Sequence, residues 1–136
     1  MDTVTCQLVG DTMVLVHSDR APSPAGWNEY LDLVEQSHES MARTLVYSIG
    51  GAPDAKQRAD LKTVYQKSFR KEPPVAVLTT DAVARGVVTT LGWFYGNIRA
   101  FTPFELEAAL RWLKVTPKNA GEIRKALPLL RARIGA

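Results

Sequence analysis

This chain of 136 residues is poor in the side chains that build metal and redox chemistry: it has one cysteine, Cys6, and two histidines, His17 and His38. A single cysteine excludes an internal disulfide and a cysteine-rich zinc site. The two histidines fall on different expected elements with no carboxylate at a telling spacing, so no metal site is expected. Gly50-Gly51 is not followed by Gly-Lys-Ser/Thr, so there is no Walker loop, and no cofactor is expected. No apolar stretch approaches the roughly 20 residues that a membrane-spanning helix needs. The first residues lack a charged segment followed by an apolar run, so no signal peptide is expected. With the lone thiol, this fits a cytoplasmic location.

What is present is ordinary for a folded domain: 46% of residues are apolar and 23% charged. The length fits a single domain over 1–136. The formal net charge of +3 is unevenly placed. Residues 1–113 carry 11 Lys/Arg against 13 Asp/Glu, whereas in 114–136 Lys114, Lys118, Arg124, Lys125, Arg131 and Arg133 face Glu122 alone. The basic character belongs to a C-terminal extension, 114–136, that also carries Ile123, Leu127, Leu129, Leu130 and Ile134. Such a segment can dock on its own domain or lie on an anionic membrane as a peripheral contact. Nucleic-acid binding is not expected, because the cations are not spread over a groove-sized face with aromatics.

Periodicity supplies the elements. Val4, Cys6 and Leu8 alternate with Thr5, Gln7 and Val9, predicting a strand within Thr3–Gly10 whose hairpin partner is Thr12–His17. Cys6 reads there as a small buried hydrophobe. Ser23-Pro24 opens a helix with Trp27, Tyr30, Leu31, Val34, His38 and Met41 on one inward stripe. Thr44–Ile49 reads as a buried strand. Asp54 with Gln57 has the spacing of a capping box, and the helix it opens faces inward at Leu61, Val64, Tyr65 and Phe69. A strand at Val75–Leu78 follows Pro73-Pro74. Thr80 or Asp81 caps a third helix with Val83, Ala84, Val87, Val88 and Leu91 inward. Ile98–Phe101 is a last strand, and Thr102-Pro103-Phe104-Glu105 a second capping box before Leu106, Ala109, Leu110 and Leu113. Thr116-Pro117 restarts a weaker helical segment, interrupted at Pro128. The order is ββαβαβαβα plus a helical tail: an α/β fold with a five-stranded mixed sheet and right-handed crossovers.

That order over roughly residues 3–113 resembles the STAS fold, specifically the SpoIIAA-like (STAS/CRAL-TRIO-like) proteins. The resemblance rests on the opening hairpin, the strand Thr44–Ile49 feeding a helix, Pro74–Leu78, Trp93-Phe94 and Arg99-Ala100-Phe101 before Ala108–Leu113. It implies a non-enzymatic interaction and regulatory module of the anti-sigma-factor antagonist type, switched by phosphorylation of a serine where the second helix begins. The corresponding stretch, Ser48–Ala55, lacks the family's Asp-Ser-Ser-Gly-like signature, and Ser48 is its phosphosite candidate. The resemblance to lipid-carrier folds implies an alternative: a carrier or sensor of an apolar or amphipathic small molecule with reversible membrane association.

Ligands of open α/β sheets sit beyond the carboxyl ends of parallel strands. The expected ligand or partner surface therefore runs through Ser48, Gly50, Gly51, Asp54 and Arg58, then Thr79, Thr80 and Arg85, to Trp93. Gly50 and Gly51 would allow close backbone approach, and Arg58 and Arg85 could converge on one anion. Against this, the glycines make a turn, Asp54 caps, and the arginines are solvated. Trp93 either marks a partner surface or folds over the core. No Ser-His-Asp set or paired-acid pattern is present, so no enzymatic activity is expected. An enzyme acting on an anionic substrate at the strand ends is the weakest reading. The expected partner is an unknown protein, a small amphipathic ligand or a second copy of the chain.

Overall fold

The β1 (Val4–Val9) and β2 (Thr12–His17) strands pair antiparallel from Val4↔His17 to Val9↔Thr12. Gly10 between them holds φ at 59°, the left-handed region that this turn requires and that glycine enters without cost. These come from a computed structural model that describes residues 2–86, 88 and 97–135. The remaining elements are α1 (Pro24–Ser37), a 3-10 turn at His38–Ser40, β3 (Arg43–Ser48), α2 (Ala55–Ser68) and β4 (Val75–Thr79). Then come α3 (helical over 82–86), β5 (Ile98–Phe101), α4 (Leu106–Trp112) and α5 (Pro117–Arg133). Trp93, with Val87, Leu91, Gly92, Phe94 and Gly96, lies outside the described residues.

The sheet runs β1-β2-β3-β4-β5, with β1 antiparallel to β2 and the other three pairings parallel. This is the α/β, five-stranded mixed sheet that the periodicity implies. Each crossover steps one strand in the same direction, so crossovers of one hand return over one face. Met13 and Leu15 of β2 accordingly pack under Trp27, Tyr30, Leu31 and Val34 of α1 and Val64 and Tyr65 of α2. The alternating side chains Val14, Val16, Leu45, Tyr47, Ala76, Leu78 and Phe101 face the other way, under Ala109 and Leu110 of α4 and Ile123, Leu127 and Leu130 of α5. With both faces covered, every residue of β2 is buried.

The caps expected for α1 and α2 hold. Ser23 Oγ accepts from the Gly26 N–H at 3.1 Å, and both halves of the Asp54–Gln57 box form, at 2.8 and 3.0 Å. Cys6 is half-buried on the face it shares with Val4 and Leu8.

Four local expectations are corrected. Val83 is 76% exposed rather than inward. The Asp81 carboxylate caps at Val83 N–H, 2.9 Å, so Val83 sits in a first turn with no layer over it. The 102–105 segment is not a complete capping box. Glu105 accepts from the Thr102 N–H at 2.7 Å, but the return bond runs from Glu105 N–H to the Thr102 carbonyl, 3.0 Å, closing a turn and moving the helix start to Leu106. His38 lies in the 3-10 turn after α1, half-exposed, with Nδ1 2.8 Å from the Glu35 carbonyl and its ring edge-on to Phe69.

The fourth is Pro128, which does not interrupt α5. A proline inside a helix costs about 3 kcal/mol. Burial of Ala120, Ile123, Ala126, Leu127 and Leu130 outweighs it, at about 1.5–3 kcal/mol for each large apolar side chain. Thr5 Oγ1 donates to the Leu130 carbonyl at 3.1 Å, Arg133 pairs with Asp2 at 3.0 Å, and Arg124 grips both oxygens of Glu107. The extension is thus docked on its own sheet, and the apolar stripe a membrane would take is spent there; Leu129 alone of its expected apolar set is exposed.

Candidate functional site

The carboxyl ends of the parallel strands bring His17, Ser48 and Thr79 side by side, in the register His17↔Ser48 and Ser48↔Thr79. The loop after β3 is closed on itself. Ser48, 6% exposed, donates its hydroxyl to the Gly51 carbonyl at 2.7 Å and accepts the Gly50 N–H at 3.1 Å. Its hydroxyl is therefore not presented to a modifying enzyme in this fold. Gly51 donates to the Ser18 carbonyl at 2.8 Å. A Cβ on Gly51 would collide with the carbonyl oxygens of Arg20 and Ser18. The missing side chain thus makes room for a neighbouring loop of the same chain. Gly50, at φ 129°, supplies the turn.

The rest of this rim is similarly engaged. Asp54 is taken by its capping box, and Gln57 donates on to the Pro22 carbonyl at 2.7 Å. Arg58 donates to the Pro53 carbonyl at 2.8 Å and Arg85 to the Thr79 carbonyl at 2.6 Å. Each guanidinium holds a carbonyl just ahead of its own helix, Pro53 in the loop before α2 and Thr79 at the end of β4, and of the two only Arg85 reaches the cleft described next. Thr79 Oγ1 accepts the Asp81 N–H at 3.1 Å.

One residue back from Ser48, on the opposite face, Tyr47 forms the floor of an open cleft of about 530 Å3. Its walls are Thr80 and Arg85 after β4, Thr102, Pro103 and Phe104 after β5, and Arg131 from α5. The Arg131 guanidinium lies 4.5 Å from the centre of the Tyr47 ring, a cation–π contact. Its Nε is buried without a hydrogen-bond acceptor among the described residues. Phe104 stands on the lip, 97% exposed. Glu105, beside it, is held below the usual carboxylate range, chiefly by the Thr102 hydrogen bonds and further by Arg99 and Arg85.

Thr80 and Arg85 are the sequence-predicted residues this cleft gathers; Ser48, Gly50, Gly51, Asp54, Arg58 and Thr79 belong to the rim, not to its lining. Sequence reasoning missed Tyr47, Thr102, Pro103, Phe104 and Arg131 as site residues. Tyr47 carried a signal, as the only aromatic of a buried strand one residue from its end. Arg131, in a distant helix, carried none.

On the α1/α2 side of the same rim, His17 is 4% exposed with its ring 6.1 Å from that of Trp27. Its Nδ1 has no partner among the described residues, and burial pulls its pKa down to about 4, so the ring is neutral at pH 7. Cys6 is pushed up to about 11 by burial, with Glu29 adding to the shift, so its thiol is a poor nucleophile. Among the described residues, neither histidine shares a hydrogen bond with a hydroxyl, a thiol or a carboxylate, and no three His, Cys, Asp or Glu gather as a metal would need. No described helix is long and apolar enough to cross a membrane.

Fold and site together define an α/β protein with a mixed five-stranded sheet, helices on both faces and one cleft-bearing rim. No known family's sequence pattern matches the chain, and no curated protein shows significant similarity to it.

Proposed function

We propose that this chain is a non-enzymatic interaction and regulatory module of the STAS type, one domain working in the cytoplasm, which engages a protein partner at the carboxyl-end rim of its sheet. The observation that carries the reading is Phe104, a large apolar side chain 97% exposed beside Arg85 and Arg131 on the lip of the cleft. Aromatic residues, phenylalanine among them, and arginine are enriched at the cores of protein interfaces. The STAS assignment is supported by the order of elements and the mixed sheet. The absence of catalysis is supported by a buried neutral His17, a thiol held protonated and a Ser48 hydroxyl occupied on both sides.

The test is site-specific photo-crosslinking in cells from position 104, with exposed Leu129 on α5 as the control position. A partner captured from 104 and not from 129, whose purified form binds the wild type but not Phe104→Ala, is the expected result. Equal capture from both positions refutes it.

A second reading, a sensor or carrier of a small amphipathic molecule, is favoured by the volume of the cleft, which lies within the span of small-ligand sites, about 300–1,000 Å3. Native mass spectrometry of the purified protein reads it directly as a bound mass.

A further inference from the structure

We infer that the Tyr47–Arg131 cleft is a binding site for a small organic anion that carries an aromatic or short aliphatic group. The inference deepens the small-molecule reading and rests on it. Arg131 and Arg85 take the anionic group, and Phe104 and Pro103 cover the apolar part.

The argument starts from Arg131. A guanidinium carries all its donors in its own plane. Here the guanidinium carbon sits over the Tyr47 ring, 4.5 Å from its centre, and the ring has no lone pair that could pair with those donors; a carboxylate or phosphate does. Its Nε is already out of water with no acceptor among the described residues, and Arg131 forms no ion pair among them. A bound anion meeting the rest of the guanidinium would supply the ion pair it lacks among the described residues.

The surroundings agree. Arg85 adds a second cation to the same lining, and Thr80 and Thr102 contribute hydroxyls. Glu105, next to Phe104, is committed to the Thr102 N–H. The lip then changes character: Pro103 and Phe104 are apolar, and Phe104 makes almost no contact with its own chain. A cleft charged at one end and apolar at the other selects a ligand of the same polarity, and its volume is that of a small molecule.

The experiment is titration calorimetry at fixed ionic strength with phenyl phosphate, inorganic phosphate and benzyl alcohol. Phenyl phosphate is expected to bind at least about tenfold more tightly than either of the others, since only it engages both ends. Arg131→Gln should weaken phenyl phosphate about tenfold or more. Phe104→Ala should weaken phenyl phosphate several-fold while leaving inorganic phosphate unchanged. Should Arg131→Gln unfold the protein, Arg131→Lys and the salt dependence of the wild type decide: affinity must fall with the lysine and with rising ionic strength. Benzyl alcohol binding as tightly as phenyl phosphate, indifference to Arg131→Gln or Arg131→Lys, or no binding of phenyl phosphate at millimolar concentration overturns the inference. A neutral molecule found by native mass spectrometry beside a failed phenyl phosphate titration would sink the anion assignment and keep the small-molecule reading. An empty protein and a failed titration would sink both.

Discussion

Tyr47 and Ser48 are neighbours at the end of β3, and the pleat sends them into opposite surroundings. Ser48 turns towards the α1/α2 side and into its own loop, where its hydroxyl meets a carbonyl and an amide N–H. Tyr47 turns towards α5 and floors a cleft in which, among the described residues, a buried guanidinium nitrogen has no acceptor and the aromatic ring on the lip is 97% exposed. The first region has its polar groups satisfied from within; the second has groups left for something else. Glycines, a capping acid and a serine at a strand end look like a ligand loop in sequence, but satisfied hydrogen bonds are what a purely structural loop displays. Binding capacity shows instead in polar and apolar groups that the fold leaves uncommitted.

The largest effect that sharpens this contrast is expected at Gly51. Gly51→Ala drives a methyl group into the carbonyls of Ser18 and Arg20, backbone atoms that cannot step aside. It should destabilise the protein by about 3 kcal/mol or more in a denaturant titration; a loss below about 1 kcal/mol would mean the two loops are not locked together.

Next comes pH. His17 is depressed from 6.5 to about 4 in the folded protein. As pH falls, the unfolded chain takes up its proton first, so the contribution to stability is complete above 6.5 and is lost progressively towards 4. The loss amounts to about 3 kcal/mol. His17→Gln should flatten that window of the stability–pH curve, and an unchanged slope would assign the acid sensitivity to other groups.

A smaller effect separates the two regions directly. Ser48→Ala leaves the Gly51 carbonyl and Gly50 N–H without their side-chain partner and should cost about 1–3 kcal/mol, with phenyl phosphate affinity untouched. Arg131→Gln should do the reverse: about 0.5–1 kcal/mol of stability lost with its ring contact, and the cleft's anion affinity lost with it. Smallest of all, Phe104→Ala should leave stability within about 0.5 kcal/mol of the wild type while weakening phenyl phosphate, as measured by thermal unfolding and calorimetry. If Ser48→Ala weakens phenyl phosphate as Arg131→Gln does, the two regions are one site.

Much of the fold was legible because its signals are local. Alternation marked the first strand, the turn after it marked Thr12–His17 as its partner, and the Ser23 and Asp54 caps announced α1 and α2 at their first turns. Local signals failed where tertiary contacts competed with them. Pro128 reads as a helix breaker, yet the helix continues because its far side is packed on the sheet. Thr102–Glu105 reads as a cap, yet a backbone turn takes the Glu105 N–H. The cleft was legible only in part: the strand-end rule points to Thr80 and Arg85 after β4 and equally to Thr102, Pro103 and Phe104 after β5, which were read as a cap, whereas Arg131 lies in a distant helix.

Short-range pattern determined the elements, their order and the side of each strand that is apolar, because side-chain periodicity and end-capping act within a few residues. Tertiary structure alone decided that α5 would close over Tyr47, placing Arg131 against a ring that lies 84 positions earlier in the chain. It likewise decided that the loop after β3 would spend its polar groups on Ser18 and on itself. The physical reason is common to both outcomes: whether a hydrogen-bonding group is satisfied depends on what packs beside it, and in a layered sheet those neighbours come from distant parts of the chain.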